Sequence, residues 1–168
     1  FIISQQHQIH IINYKKNTKK YSPEAEAMYS KNGFRMRASY CQPSKKGRDI
    51  FGALVPYDIV WRTGANEATL FTTSHDIQFP EGLLKAGSYS LFSIPKEQGW
   101  VVIFNKEIEQ WGTQYTEDKD VLRVVASKEL METPEEVFQI DFAEVDSIPQ
   151  LLLKWDYTKV ILPLSLVK

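Results

Sequence analysis

The sequence contains a single cysteine, Cys41, so no intrachain disulfide can form and cysteine usage does not report a redox compartment. Only Lys45 and Lys46, and no histidine, lie close to it in sequence, so Cys41 reads as a small apolar packing residue rather than a nucleophile. Histidine is nearly as scarce, with His7 and His10 near the start and His75 in an expected strand-end turn. None is placed for Ser-His-Asp chemistry, and His7 with His10 is too small a ligand set for a selective metal site. No apolar run approaches the roughly 20 residues that a membrane-spanning helix requires. Helical periodicity is confined to two short candidates, KEIEQW (106–111) and AEVDSI (143–148), and there are no internal repeats or low-complexity tracts.

What is present is the composition of one globular domain: 168 residues, 43% hydrophobic and 12% aromatic, enough to bury a core without covalent staples. Net charge is only −1, but residues 1–50 carry 10 Lys/Arg against 3 Asp/Glu, while residues 51–168 carry 10 against 18. Two readings follow. A basic arm could meet an anionic partner, or basic early strands pair with acidic later ones inside the fold. A pI near 6.4 and the lack of any recognition motif argue against nucleic acid as the partner, although Arg35 and Arg37 share one strand face.

Almost everything after Ser22 has strand character. In GFRMRASY, Phe34, Met36, Ala38 and Tyr40 alternate with Arg35, Arg37 and Ser39, the period of a half-buried strand. Similar short segments rich in β-branched and aromatic residues occur at 25–30, 67–73, 88–94, 100–105, 121–127, 136–142, 150–156 and 159–164. Lys85-Ala86-Gly87 and Pro95–Gly99 are expected to form hairpin connections, and Asp156-Tyr157-Thr158 to turn a last hairpin. Roughly nine strands with such spacing, and one or two short helices, predict an all-β fold: an antiparallel β-sandwich, jelly-roll-like. Residues 1–21 read as a polar basic arm or tether, and 22–168 as the sandwich domain.

The ordered motifs SYCQPSKKGRDIFGALVPYDIVWRTGANEATLF, LLKAGSYSLFSIP, WVVIFNKEIEQWG and LKWDYTKVILPL closely resemble the bacterial family designated domain of unknown function 2911. The resemblance spans about residues 22–165. It implies an extracytoplasmic protein, in the periplasm or anchored facing it, and brings no assigned reaction and no cofactor. Some relatives carry a membrane anchor before a start similar to Ser22-Pro23-Glu24, so a membrane tether upstream of Phe1 is an expectation. Two positions depart from the family pattern: Gln42 stands where relatives usually have Arg, and Asp58 where they have Gly.

Within VWRTGANEATLF, Arg62 has the planar fork that grips a carboxylate or phosphate, and Arg48 could add a second cation. Trp61 and Trp111 offer stacking faces, while Tyr57, Asn66, Glu67 and Asn105 offer directional polar groups. These eight are the candidate ligand-binding residues, for a small acidic or carbohydrate ligand. Alternatively they serve the scaffold, with Arg62 pairing Glu67, Asn66 tying off a turn and Trp61 anchoring the core. A catalytic set is not identifiable: Asp58 and Glu67 are the only carboxylates close to the motif, and paired-acid hydrolysis needs both to face one substrate. Glu117, Asp118 and Asp120 in YTEDKD lack the glycine and terminal glutamate of a calcium loop and read as a solvated turn. The expected function is a noncatalytic binding or assembly module, whose partner is a membrane protein complex or a small ligand. The rival is a hydrolase acting on a glycan or peptide through Arg62, Asn66 and Glu67.

Overall fold

The alternation in FRMRASYC is realised as a strand: Met36, Ala38 and Tyr40 are buried while Arg35 and Arg37 face outward. The computed structural model describes residues 10–15, as backbone, and 21–167. It contains β1 (His10–Lys15), β2 (Glu24–Lys31), β3 (Phe34–Cys41), β4 (Thr69–Thr73), β5 (Ile77–Phe79), β6 (Gly82–Leu84), β7 (Gly87–Pro95), β8 (Trp100–Asn105), β9 (Asp120–Val145), β10 (Ile148–Pro163) and β11 (Ser165–Leu166). All pairings between these strands are antiparallel. The main sheet is a meander in the order β1-β2-β3-β4-β7-β8-β9-β10, and β11-β5-β6 form a second, three-stranded sheet. Part of the segment read as an arm, His10–Lys15, is thus a strand on β2; the flanking residues, His7 included, lie outside the described residues.

Three local expectations are corrected. Both helix candidates fail among the described residues: 106–111 is irregular, and 143–148 is the end of β9, a two-residue turn and the start of β10. Asp146 and Ser147 take positive φ in that turn, 50° and 64°, so a tight hairpin forms where helical spacing was read. Lys85-Ala86-Gly87 does not connect paired strands, because β6 pairs with β5 and β7 with β4 and β8. Asp156-Tyr157-Thr158 does not turn the chain either. Asp156 adopts φ 52°, and Tyr157 alone lies opposite Met131, Glu132, Thr133 and Pro134, between the pairs Asp156↔Glu135 and Thr158↔Leu130. Pro134 cannot donate to a ladder, so the sheet bulges here and both strands bend instead of ending.

That bend makes the sandwich. Before it, β9 pairs with β8; after it, β9 and β10 lie across β2 and β3, where Tyr29 meets Phe142 and Tyr40 meets Phe138. The residues following β3 pair with the returning strand, with Phe138 N–H donating to Pro43 O and Lys45 N–H to Glu136 O. Between the layers sits an aromatic cluster in which Trp61 stacks on Trp155 at 16° and Phe51 meets Trp61, Trp100 and Trp155 edge-on. Phe79 of the small sheet packs on Phe104 in the same core. Part of the charge asymmetry resolves across these layers: Lys31 pairs with Glu144 at 2.9 Å and Lys45 with Asp156 at 3.1 Å. Burial alone would raise the Glu144 carboxyl, but its hydrogen bonds from Lys31 and Tyr29 and the Lys31 charge outweigh it and hold the group below the ordinary range.

Candidate functional site

The middle of β7 and β8 is buried on both faces. Leu91, Val102 and Phe104 point into the main core, and Phe92 and Ile103 point the other way yet are only 1% and 0% exposed. An antiparallel sheet commonly leaves its second face to water. Here two irregular segments, the motif around 57–67 and the loop 106–119, help to cover it.

The first segment is fastened along the sheet margin beyond β4. Trp61 and Ser93 exchange both backbone hydrogen bonds, and Asp58 N–H donates to Pro95 O. Because side chains alternate about an extended backbone, Trp61 turns inward to the aromatic cluster and Arg62 outward. The chain then reverses through Thr63 at φ 54°, Gly64 at φ 154° and Asn66 at φ 60°. A β-branched residue with positive φ needs compensation. It is supplied by Thr63 Oγ1 meeting Ser93 Oγ at 2.8 Å and by Thr69 Oγ1 donating to Thr63 O at 2.7 Å. A Cβ at Gly64 would lie 2.9 Å from Thr69 Oγ1 and 3.2 Å from Cys41 O, so only glycine fits the reversal.

Asn105 fastens the second segment. Fully buried, it donates from Nδ2 to Thr116 O and Asp120 Oδ1 and accepts from Glu107 N–H at Oδ1, joining both ends of the loop. Ser90 Oγ donates to Glu107 O. Gly112 N–H donates to Asn66 O, and Ala68 N–H to Gln110 O, which ties the two coverings together. At Gly112 an added Cβ would meet Arg62 Cδ at 2.5 Å and Asn66 O at 2.7 Å. The glycine is therefore the seat of the Arg62 stem.

Between the coverings runs a groove of about 560 Å³ lined by Ile59, Val60, Trp61, Arg62, Phe92, Gly112, Thr113 and Tyr115. Arg62 is the least exposed arginine of the described residues, and among them its guanidinium has no hydrogen-bond or ion-pair partner. The other side of the groove is closed by a satisfied network. Tyr115 Oη donates to Asp120 Oδ2 at 2.6 Å, while Arg123 binds Asp120, Glu117 and the Tyr115 oxygen. Burial, and then the bond to Asp120, push the Tyr115 phenol up to about 12, so it stays neutral.

The eight candidate residues are not one constellation. Trp61 and Arg62 reach the groove, though the Trp61 ring is packed in the core. Arg48 does not join Arg62: its guanidinium caps Lys45 O and Ser44 O in its own loop. Tyr57 is half-buried against Gly52, with Lys128 Nζ 5.3 Å from its ring centroid. Asn66 directs Nδ2 to Ser22 O at 3.4 Å. Glu67 lines a different cavity, of about 330 Å³, with Glu24, Cys41 and Glu109, and Cys41 Sγ lies 3.7 Å from its Oε2. Trp111 is 47% exposed and pairs through its backbone with Glu67. Asn105 is a loop fastener. Phe92, Gly112 and Tyr115 line the groove without having been singled out from sequence. For Phe92 the signal was available, since SYSLFSIP is apolar on both alternating sets toward its end. In YTEDKD, Glu117 and Asp120 are engaged by Arg123. No cluster of three metal-ligating side chains occurs among the described residues.

A family model described as protein of unknown function, DUF2911, matches residues 22–164. The chain belongs to this family. Neither a curated protein nor a solved structure matches it. The family match covers both coverings and the groove, so motif and loop belong to the shared domain.

Proposed function

We propose that the protein is a noncatalytic binding module acting outside the cytoplasm, which holds a small acidic ligand in the outer-face groove with Arg62 as anchor. The observation that carries this reading is Arg62, a half-buried residue whose stem lies against Gly112 at the edge of an apolar groove and whose guanidinium has no anionic partner among the described residues. A guanidinium beside apolar walls is a natural partner for an acid, which it can grip through two parallel hydrogen bonds. Here an incoming anion would supply the match. The location rests on the family resemblance, and a further proposal, suggested by the basic residues of 1–21, is that this segment docks the domain to a membrane complex.

The hydrolase reading needs Arg62, Asn66 and Glu67 around one substrate. Arg62 and Glu67 line separate cavities and Asn66 faces Ser22, so the binding reading is the better supported. Titrating isotope-labelled protein with a panel of small carboxylates and phosphates tests it. The amides of Val60, Arg62, Gly112 and Thr113 are expected to shift together with at least one member. Arg62→Ala is expected to abolish the shifts, and Glu67→Gln to leave them intact. Turnover of a glycan or peptide that Glu67→Gln stops without unfolding the protein would establish the enzyme instead.

A further inference from the structure

Resting on the binding reading, the geometry points to a narrower ligand class: we infer that the groove selects a free small organic monocarboxylate on an apolar body, over phosphates and over hydroxyl-rich sugars. Charge decides the first preference. The groove presents one unmatched cation, at Arg62, while the second arginine at its border, Arg123, is already matched by Asp120 and Glu117. Near Tyr115 the field is set by these acids, which would repel the second charge of a phosphate monoester, whereas a monoanion on Arg62 completes the balance.

The walls decide the second preference. Beyond Arg62 itself, the Thr113 hydroxyl is the one side-chain group of the lining open to a sugar hydroxyl: Ile59, Val60, Phe92, Gly112 and the Tyr115 ring offer none, and the Tyr115 oxygen is occupied by Asp120 and Arg123. Burying several hydroxyls there would leave most of them unsatisfied. A volume of about 560 Å³ accommodates a ring or short chain behind a carboxylate. Gly112 leaves the room in which the Arg62 stem lies, and the planar guanidinium at its end can take a carboxylate through two parallel bonds.

Benzoate, benzyl alcohol, phenyl phosphate and glucuronate separate these terms, each titrated against the whole chain with the amides of Gly112, Thr113 and Tyr115 as readout. Benzoate is expected to bind at least about tenfold more tightly than each of the other three, and Arg62→Gln to bring benzoate to the level of benzyl alcohol. Preference for phenyl phosphate or glucuronate, with the same amides shifting, overturns the monocarboxylate class and leaves the binding module standing. Equal affinity for benzoate and benzyl alcohol removes Arg62 as the selector. Absence of any shift at the groove with all four probes overturns the class and the groove as a binding site together.

Discussion

At the middle of β7 and β8 both faces are dry but are built differently; toward the ends of the outer face Ser88 is exposed and Ile94 and Val101 are half-buried. On the inner face, Leu91, Val102 and Phe104 meet strands and large rings, and sheet geometry sets their neighbours. On the outer face, Phe92 and Ile103 are covered by irregular chain, whose backbone groups are satisfied by Thr63, Thr69, Ser90 and Asn105, each nearly or fully buried. Regular layers close completely. Coverings made of loops follow the contour of their own hydrogen bonds, and the gap left between them is where an uncompensated cation can persist. The inner face therefore carries the stability, and the outer face is where the proposed ligand would sit.

The strongest way to break the inner half of this comparison is Trp155→Ala. Trp155 is 2% exposed and contacts Phe51, Trp61 and Phe138, so its removal empties the centre of the sandwich. A loss of about 3–5 kcal/mol is expected in denaturant-induced unfolding. A loss below about 1 kcal/mol would mean that the two layers do not depend on this cluster.

Asn105→Ala probes the outer half. It leaves Glu107 N–H, Thr116 O and Asp120 Oδ1 without their partner, at a cost of about 2 kcal/mol. Hydrogen exchange should accelerate over 106–119 and stay slow in β2 and β3, because the loop opens while the layers remain. Uniform acceleration would show that the covering is part of the core after all.

How much of this was legible in the sequence depends on whether a local period controlled it. Phe34 to Tyr40 alternate, and β3 follows. The period of two also separates Trp61 from Arg62, and applying it to the motif would have divided the pair between core and groove. What one chain pattern does not reveal is partnership at long range. The bend of β9 rests on Pro134 and on Asp156, 22 residues apart, opposing each other through a bulge. Nothing local distinguishes that from a turn. Asn105, Arg48 and Arg62 looked alike as polar candidates because each can bind a ligand. Only their neighbours reveal that Asn105 and Arg48 already hold backbone groups while Arg62 does not.

The finest test of the comparison lies within four residues of the motif. Asn66 holds a left-handed backbone at φ 60°, which asparagine tolerates and alanine resists, so Asn66→Ala is expected to cost about 1 kcal/mol whether or not a ligand is present. Arg62 lays its stem against Gly112 and makes no hydrogen bond or ion pair among the described residues, so Arg62→Ala should shift the stability of the free protein by no more than about 0.5 kcal/mol. Thermal unfolding of the two variants in parallel separates a residue that shapes the turn from one that waits on it. If Arg62→Ala destabilised the free protein as much as Asn66→Ala, the guanidinium would be part of the scaffold, and the groove would lose its anchor.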